Sequence, residues 1–528
     1  MKKDYKQKGT AIPLKQGQIK TWLIVLLSVF CTCVSFAQKP TIKQGPLAKG
    51  VKVSNQAIYL GEDESNYYFF DYFTKITLLG FDKTDLSLKT EKEFKGKMAM
   101  RLLIYGGIYG ENIEVLTVKH EAKGYRLEKL TFKKSDMTLT STDDLGFSPF
   151  EDGKKHFGNM DPVKLKEMLT VSSKTSPDQS HRALVRLDEC QNGVPGTWKI
   201  TVLDNTTNAT LWSRDTDFQF HDYVLTDDGK IILVGYALAD SKDKTMASVL
   251  VMSNDKEGQM SFELPVNIGS AELLLNDNRL WVMGSLKGEK YGKKGLFWED
   301  VSLCGMYVTL FDLNEQAVVA SDEYAFTKED MDVYYNEKAG KSKENTAKWI
   351  HFYPYLMNDG RVCVKSEYRY RIVSNSPTSG IGGITSGINT NTGNYYYFGK
   401  KGCILSMFDS DGRLQWRKPF KNEIVSGEEV VADVLSEING NLYYYSMVCG
   451  KYKYSETDAA ASQDPRLLQT KLREIIIDQE GNETVNVIDG KGEFGIAAQG
   501  YDAARTKQVF WLIEQGLLNS DVQVMVVE

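Results

Sequence analysis

The chain has 528 residues and a formal charge of −6 at pH 7, with five histidines and seven cysteines spread along it. At ~150 residues per domain, that length suggests three or so domains. An acidic balance offers no electrostatic footprint for nucleic acid or an anionic membrane surface, since both need clustered Lys and Arg.

The N-terminus reads as an export signal. Lys2, Lys3, Lys6, Lys8, Lys15 and Lys20 precede the apolar run from Trp22 to Phe30, and Ser35-Phe36-Ala37 has the small-x-small form of a cleavage site. The run is roughly 15 residues, short of the ~20 that span a bilayer, which makes a retained anchor the lesser reading. Cys31 and Cys33 follow bulky residues, a poor match to a lipid-attachment signal. Cleavage after Ala37 removes six lysines and Asp4, a net +5, and takes the charge from −6 to −11. The expected product, residues 38–528, is periplasmic or extracellular with no membrane span after signal removal. A leader that leaves Gln38 first resembles those of exported Bacteroidota proteins.

Residues His221 to Pro265 set the pattern for the rest. Tyr223–Leu225, Ile231–Val234, Ala247–Met252 and Met260–Leu264 read as strands, joined at Thr226-Asp227-Asp228-Gly229, a polar interval, and Asn254 to Gly258. Asp, Asn and Gly take φ > 0 cheaply and suit tight hairpins. One such meander cannot bury both faces, so it needs copies on either side.

The copies are present. Second hairpins turn at Phe81-Asp82-Lys83-Thr84-Asp85, Phe132 to Asp136, Leu203-Asp204-Asn205, Ser253-Asn254-Asp255, Phe311-Asp312-Leu313-Asn314, Phe408 to Gly412 and Ile477 to Gly481. First hairpins turn at Asp63 to Asn66, Gly106-Gly107, Pro177-Asp178, Asp228-Gly229, Asn276-Asp277-Asn278, Asn358-Asp359-Gly360, Asn439-Gly440 and, in an eighth unit, Asp502 to Thr506. The last unit ends at Val522 to Glu528 and lacks a fourth strand, for which Thr41 to Val53 is the natural donor. The expected fold is all-β: a single β-propeller of eight four-stranded blades, closed by pairing the N- and C-terminal strands. Seven blades is the main alternative and a pair of β-sandwiches a weaker one. Unit spacing exceeds that of compact blades because of inserted loops at about 146–162, 287–303, 327–347, 374–394 and 450–466. Short helices are expected at Asp161 to Leu169 and from Thr327 to about Asn336.

Gly412-Arg413-Leu414-Gln415-Trp416 after Asp409, and Asn208-Ala209-Thr210-Leu211-Trp212 after Asp204, resemble the turn-plus-tryptophan signature of quinoprotein/WD-repeat-like propellers. The stretch from Ser176 through Trp212 also resembles repeats of exported Bacteroidota propellers. The resemblance implies that each Trp packs between neighbouring blades. Quinone-dependent members stack the cofactor on a vicinal cysteine pair, which this chain lacks, so no cofactor is expected.

Catalytic motifs are incomplete. Cys190, Cys304, Cys363, Cys403 and Cys449 form no C-x-x-C pair, which argues against a zinc site or a disulfide framework and leaves room for one disulfide. Gly340-Lys341-Ser342 lacks the first Gly of a phosphate loop, Gly146-Phe147-Ser148-Pro149-Phe150 the second Gly of a nucleophile elbow, and Asp409-Ser410-Asp411-Gly412 most of a calcium-loop ladder. No metal site is expected. Tyr67 to Phe70, Tyr395 to Phe398 and Tyr443 to Tyr445 read as inter-blade packing, with sugar-stacking platforms as the alternative.

The insertions other than 146–162 come from the fifth, sixth and seventh units, all as second-to-third loops or links between units, so they should crowd one sector of one face. Long loops on a rigid scaffold are where binding usually resides. Trp298, Glu299, Tyr334, Tyr335 and Tyr395 are the candidate ligand-binding residues, with no catalytic residue assigned. The expectation is a non-catalytic binding or assembly scaffold of the cell envelope for a protein or glycan ligand. The alternative is an exported glycan hydrolase or lyase with acidic residues in the propeller funnel.

Overall fold

A computed structural model describes residues 41–51, 57–71, 76–94, 101–151, 169–191, 194–238, 244–287, 303–330, 350–374, 395–426, 433–438, 440–449, 470–489, 495–501, 508–514 and 520–527. Residues 42–528 form one compact unit, an all-β ring of eight four-stranded antiparallel blades. Both alternatives, seven blades and paired sandwiches, are excluded.

Each blade is a meander whose first strand lies innermost. The first strands are Ala57–Glu62, Arg101–Tyr109, Val171–Thr175, Asp222–Leu225, Glu272–Asn276, Ile350–Leu356, Asp433–Ile438 and Gly495–Tyr501 for blades 1 to 8. The second, third and fourth strands follow in sequence order outward, as in blade 4, where Ile231–Leu238, Thr245–Met252 and Glu257–Leu264 succeed Asp222–Leu225. In blade 3 a small extra hairpin, Cys190–Gln191 with Val194–Pro195, fills the connection between the second and third strands.

The ring closes through its termini. Ile42–Gln44 pairs with Met525–Val527, and Ala48–Val51 with Ser520–Val522, so the N-terminal segment supplies the outer strand of blade 8. The amide of Gly45 donates to Val524 O at 2.9 Å, and Gln523 Nε2 donates back to Gly45 O at 2.6 Å. A Cβ at Gly45 would sit 2.4 Å from Leu86 O, so the closing strand is seated against a turn of blade 1.

One expected turn is misplaced. Gly106 and Gly107 lie inside the first strand of blade 2, and the chain reverses after Tyr109, with Gly110 at φ +58°. The two glycines serve close packing instead: a Cβ on Gly106 would meet Leu60 of blade 1 at 2.5 Å, and one on Gly107 the Tyr109 hydroxyl at 2.8 Å. The remaining first hairpins fall at or beside their expected turns. In blade 8 the strands Gly495–Tyr501 and Gln508–Glu514 bracket the expected turn, whose own residues lie outside the described set.

The core lies between blades. Separate buried clusters join blades 1 and 2, 2 and 3, 3 and 4, 4 and 5, 5 and 6, 6 and 7, and 8 and 1. Alternation along each strand feeds two of them at once. Tyr67 and Phe69 pack toward blade 8, while Tyr68 and Phe70 pack toward blade 2. Burying a residue such as Phe69 or Phe70 stabilises by about 1.5–3 kcal/mol.

Both signature tryptophans sit at blade junctions. Trp212 of blade 3 donates from Nε1 to the Gly229 carbonyl in the first turn of blade 4, at 3.0 Å. The Trp416 ring of blade 6 lies about 3 Å from where a Cβ on Gly481 of blade 7 would be. Thr327 caps a helix beginning at Lys328: Asp330 N donates to Thr327 Oγ1 at 3.2 Å and Thr327 N to Asp330 Oδ2 at 2.7 Å. The helix expected from Asp161 lies outside the described residues.

Candidate functional site

The inner strands of blades 3 to 7 surround a cavity of about 440 Å³ in the middle of the ring. Its wall is largely aliphatic and aromatic, with Val224, Leu273, Leu275, Tyr353, Tyr355 and Leu435 among its lining residues. The apolar wall follows from the sequence, because innermost strands with cores on both flanks carry near-continuous hydrophobic runs, as in Tyr223-Val224-Leu225 and Leu273-Leu274-Leu275.

The charged residues of the cavity lining are Lys174 and Lys365, and two carboxylates stand where the inner strands of blades 4 and 5 begin. Asp222 opens the first strand of blade 4 and Glu272 that of blade 5. Lys174 of blade 3 makes a short ion pair with Asp222, and its ammonium lies 5.1 Å from the centre of the Tyr223 ring. Asp222 Oδ2 also accepts from the Leu273 amide at 3.3 Å. Burial, then the negative charge of Asp222, push the Glu272 carboxyl up to about 7, with Lys174 pulling the other way. The Tyr236 phenol is raised first by burial and then by these two carboxylates. Tyr307, raised chiefly by burial, donates to Ser270 O at 3.2 Å. The His221 ring lies on Tyr236 with centroids 4.1 Å apart. Chemically, this is a half-buried carboxyl that exchanges its proton near neutrality, beside a second carboxylate that is ion-paired to a lysine.

The described residues contain no His/Cys/Asp/Glu group able to hold a metal. Asp409 is a hairpin residue: its Oδ1 accepts from the amides of Asp411 at 3.0 Å and Arg413 at 2.9 Å, and Gly412 takes φ +84°. Ser148 is buried, and its hydroxyl donates to Leu187 O at 2.7 Å, which leaves it no role as a nucleophile. Cys190, Cys304, Cys363 and Cys403 are free thiols. The runs Tyr67 to Phe70 and Tyr443 to Tyr445 are buried between blades and cannot serve as sugar platforms.

Neither a family model nor a curated protein matches the chain. Solved structures do resemble it. The beta-propeller domain of the Trilobed protease from Pyrococcus furiosus aligns at 11% identity and TM-score 0.34, covering 80% of this chain and 95% of that one. A europium-containing methanol dehydrogenase aligns at 9% identity and TM-score 0.37, covering 92% and 93%. Sqt1 of Saccharomyces cerevisiae aligns at 10% identity and TM-score 0.40, covering 90% and 98%. At these identities the likeness concerns fold alone.

Of the expected ligand-binding residues, Trp298, Glu299, Tyr334 and Tyr335 lie outside the described set. Tyr395 begins the third strand of blade 6, opposite Ser374. The second and third strands of that blade, Val362–Ser374 and Tyr395–Phe408, run well past the first strand, whose pairing ends at Ile350 opposite Tyr368. The six-residue excess, Arg369 to Ser374, makes a ribbon about 20 Å long at ~3.4 Å per residue. No sequence motif singles out Asp222, Glu272 and Lys174. Their signal is a charged residue at the head of, or within, a short innermost strand.

Proposed function

We propose that this protein is an exported binding scaffold of the cell envelope that holds a protein or glycan ligand on the face carrying its blade links and second-to-third connections. The blade 6 ribbon supports this reading most directly. It projects from that face, and the connections after Lys287, Ala325, Ser374 and Cys449 leave from the same side. The opposite face is made of short turns bonded to one another. Arg279 Nη1 donates to Ser410 O at 2.6 Å, Arg361 Nη2 to Gly440 O at 3.3 Å, and the Asp178 amide to Asp227 Oδ1 at 2.9 Å. Such a face is rigid and has little chain to spare for recognition. Trp298, Glu299, Tyr334, Tyr335 and Tyr395 are the residues proposed to meet the ligand.

Replacing residues 375–394 and 288–302 with tight turns tests the assignment. The shortened protein should keep the melting temperature of the parent and lose the partner that the parent retains from envelope extracts or a glycan array. Undiminished retention would refute the placement. Export is tested by N-terminal sequencing of the secreted protein, which should begin near Gln38; a lipid on Cys31 or Cys33 would contradict it.

The Glu272–Asp222 pair favours a second reading, an exported glycan hydrolase or lyase working at the funnel. Under that reading Glu272→Gln abolishes turnover of a glycan that the parent cleaves. Under the scaffold reading no glycan is cleaved by either protein.

A further inference from the structure

A second cavity, of about 380 Å³, lies between the inner strands of blades 2 and 3, lined by Ile104, Tyr105, Ser173, Lys174, Thr175 and Arg182. Its volume falls within the range of small-molecule sites, roughly 300–1,000 Å³. It shares Lys174 and Thr175 with the central cavity. Thr175 and Arg182 pair in register on either side of the first turn of blade 3, so this space lies toward the tight-turn end of the ring, away from the insertion face.

Arg182 is the unusual element. It is only 9% exposed, yet neither its Nε nor its Nη1 has a hydrogen-bond partner. Its guanidinium lies 4.2 Å from the centre of the Tyr105 ring and also touches the Tyr109 hydroxyl. The neighbouring charges are committed elsewhere. Lys174 is paired with Asp222. Glu114, whose charge acts on both tyrosines, is 3.5 Å from Lys129 and accepts from Asn208 Nδ2. Asn208 Oδ1 in turn accepts from the Tyr105 hydroxyl at 3.3 Å. Among the described residues no carboxylate reaches Arg182. A guanidinium that lines a cavity while two of its buried donors lack partners is costly unless an anion reaches it.

We propose that this cavity binds a small organic carboxylate, with Arg182 as its charge partner. One uncompensated positive charge matches a monoanion. A phosphate dianion would leave one negative charge without a partner, because Lys174 is already paired with Asp222. The Tyr105 ring fixes the guanidinium in place by cation–π contact and, with Ile104, offers apolar surface for the ligand body. Ser173 and Thr175 belong to the strand that forms the opposite wall.

The test is calorimetric titration of the full-length protein with sodium benzoate, sodium phosphate and uncharged benzamide at matched ionic strength. Benzoate should bind, and phosphate and benzamide should bind at least about tenfold more weakly, as expected for a charge-assisted contact. Arg182→Met should weaken benzoate by at least about tenfold and leave benzamide unchanged. Preference for phosphate would overturn the ligand class. Equal binding of benzamide, or benzoate affinity unchanged in Arg182→Met, would overturn the site. A variant-free measurement covers the case in which that protein fails to fold. Benzoate should slow phenylglyoxal modification of Arg182 in the parent, followed by peptide mass spectrometry, and absence of protection would refute the proposal.

Discussion

Glu272 ties a local environment to a measurable pH dependence. Its carboxyl is pushed from an ordinary value of 4.5 up to about 7, so the folded state keeps a proton that the unfolded chain has already lost. The protonated form therefore contributes stability fully below pH 4.5, and that contribution is lost as pH rises through about 7. Glu272→Gln cannot ionise. It should match the parent near pH 4.5 and be more stable at pH 8 by on the order of 3 kcal/mol. Denaturant titrations at the two pH values check this, and a difference that does not change with pH would contradict it. The same residue shows why the site was hard to read from sequence. Its raised carboxyl comes from burial first and then from Asp222, opposed by Lys174, and these two partners stand 50 and 98 positions away and meet it only when three blades are placed side by side. Loop length, the signal behind the candidate binding residues, carries no information on which side chains converge.

Hairpins are the element that repeats, and their turns show both what is written locally and what is not. The second hairpins of blades 1, 2, 3 and 5 each place a left-handed residue at the same point of the turn: Leu86, Met137, Asn208 and Gln316, with φ between 51° and 59°. In three of them the preceding Asp accepts two backbone amides, as Asp312 Oδ1 does from Asn314 at 2.9 Å and Glu315 at 3.0 Å. That aspartate was legible, and it located the turns. The left-handed residue was not, because Leu86 and Met137 are there for burial, with 3% and 2% exposure. Gln316 is exposed and gains nothing comparable. Gln316→Gly should therefore raise stability by about 0.5 kcal/mol, the relief of left-handed strain less the entropy of glycine in the unfolded chain. A loss of stability in urea melts would contradict that account. Trp212 works in the opposite direction. Trp212→Ala removes its packing between blades 3 and 4 and leaves the Gly229 carbonyl without its partner, and should cost about 3–5 kcal/mol. A cost below about 1 kcal/mol in the same melts would show that the junction does not depend on it.

At the scale of the whole molecule, ring closure converts a chain of separately marginal meanders into one unit. No blade can cover both of its own faces, so every inter-blade cluster depends on two neighbours, and an open ring would leave two apolar faces and a free strand edge. The N-terminal segment prevents this. Val51 packs in one cluster with Tyr67, Phe69 and Leu86 of blade 1 and Val522, Val524 and Val526 of blade 8. Deleting residues 41–53 bares the edge of Ser520–Val527 and loosens that junction, with an expected loss on the order of 5 kcal/mol for a few buried aliphatic side chains and their ladder bonds. The Gly45 contact allows a milder form of the same experiment. Gly45→Val forces a side chain against the Leu86 carbonyl and should lower the melting temperature in the same direction but by less, since the strand can still pair on either side. Supplying residues 41–53 as a peptide should restore the deletion protein toward the parent's melting temperature and suppress its self-association through the bared edge. A deletion protein that melts with the parent would show that closure is held by blade-to-blade packing alone.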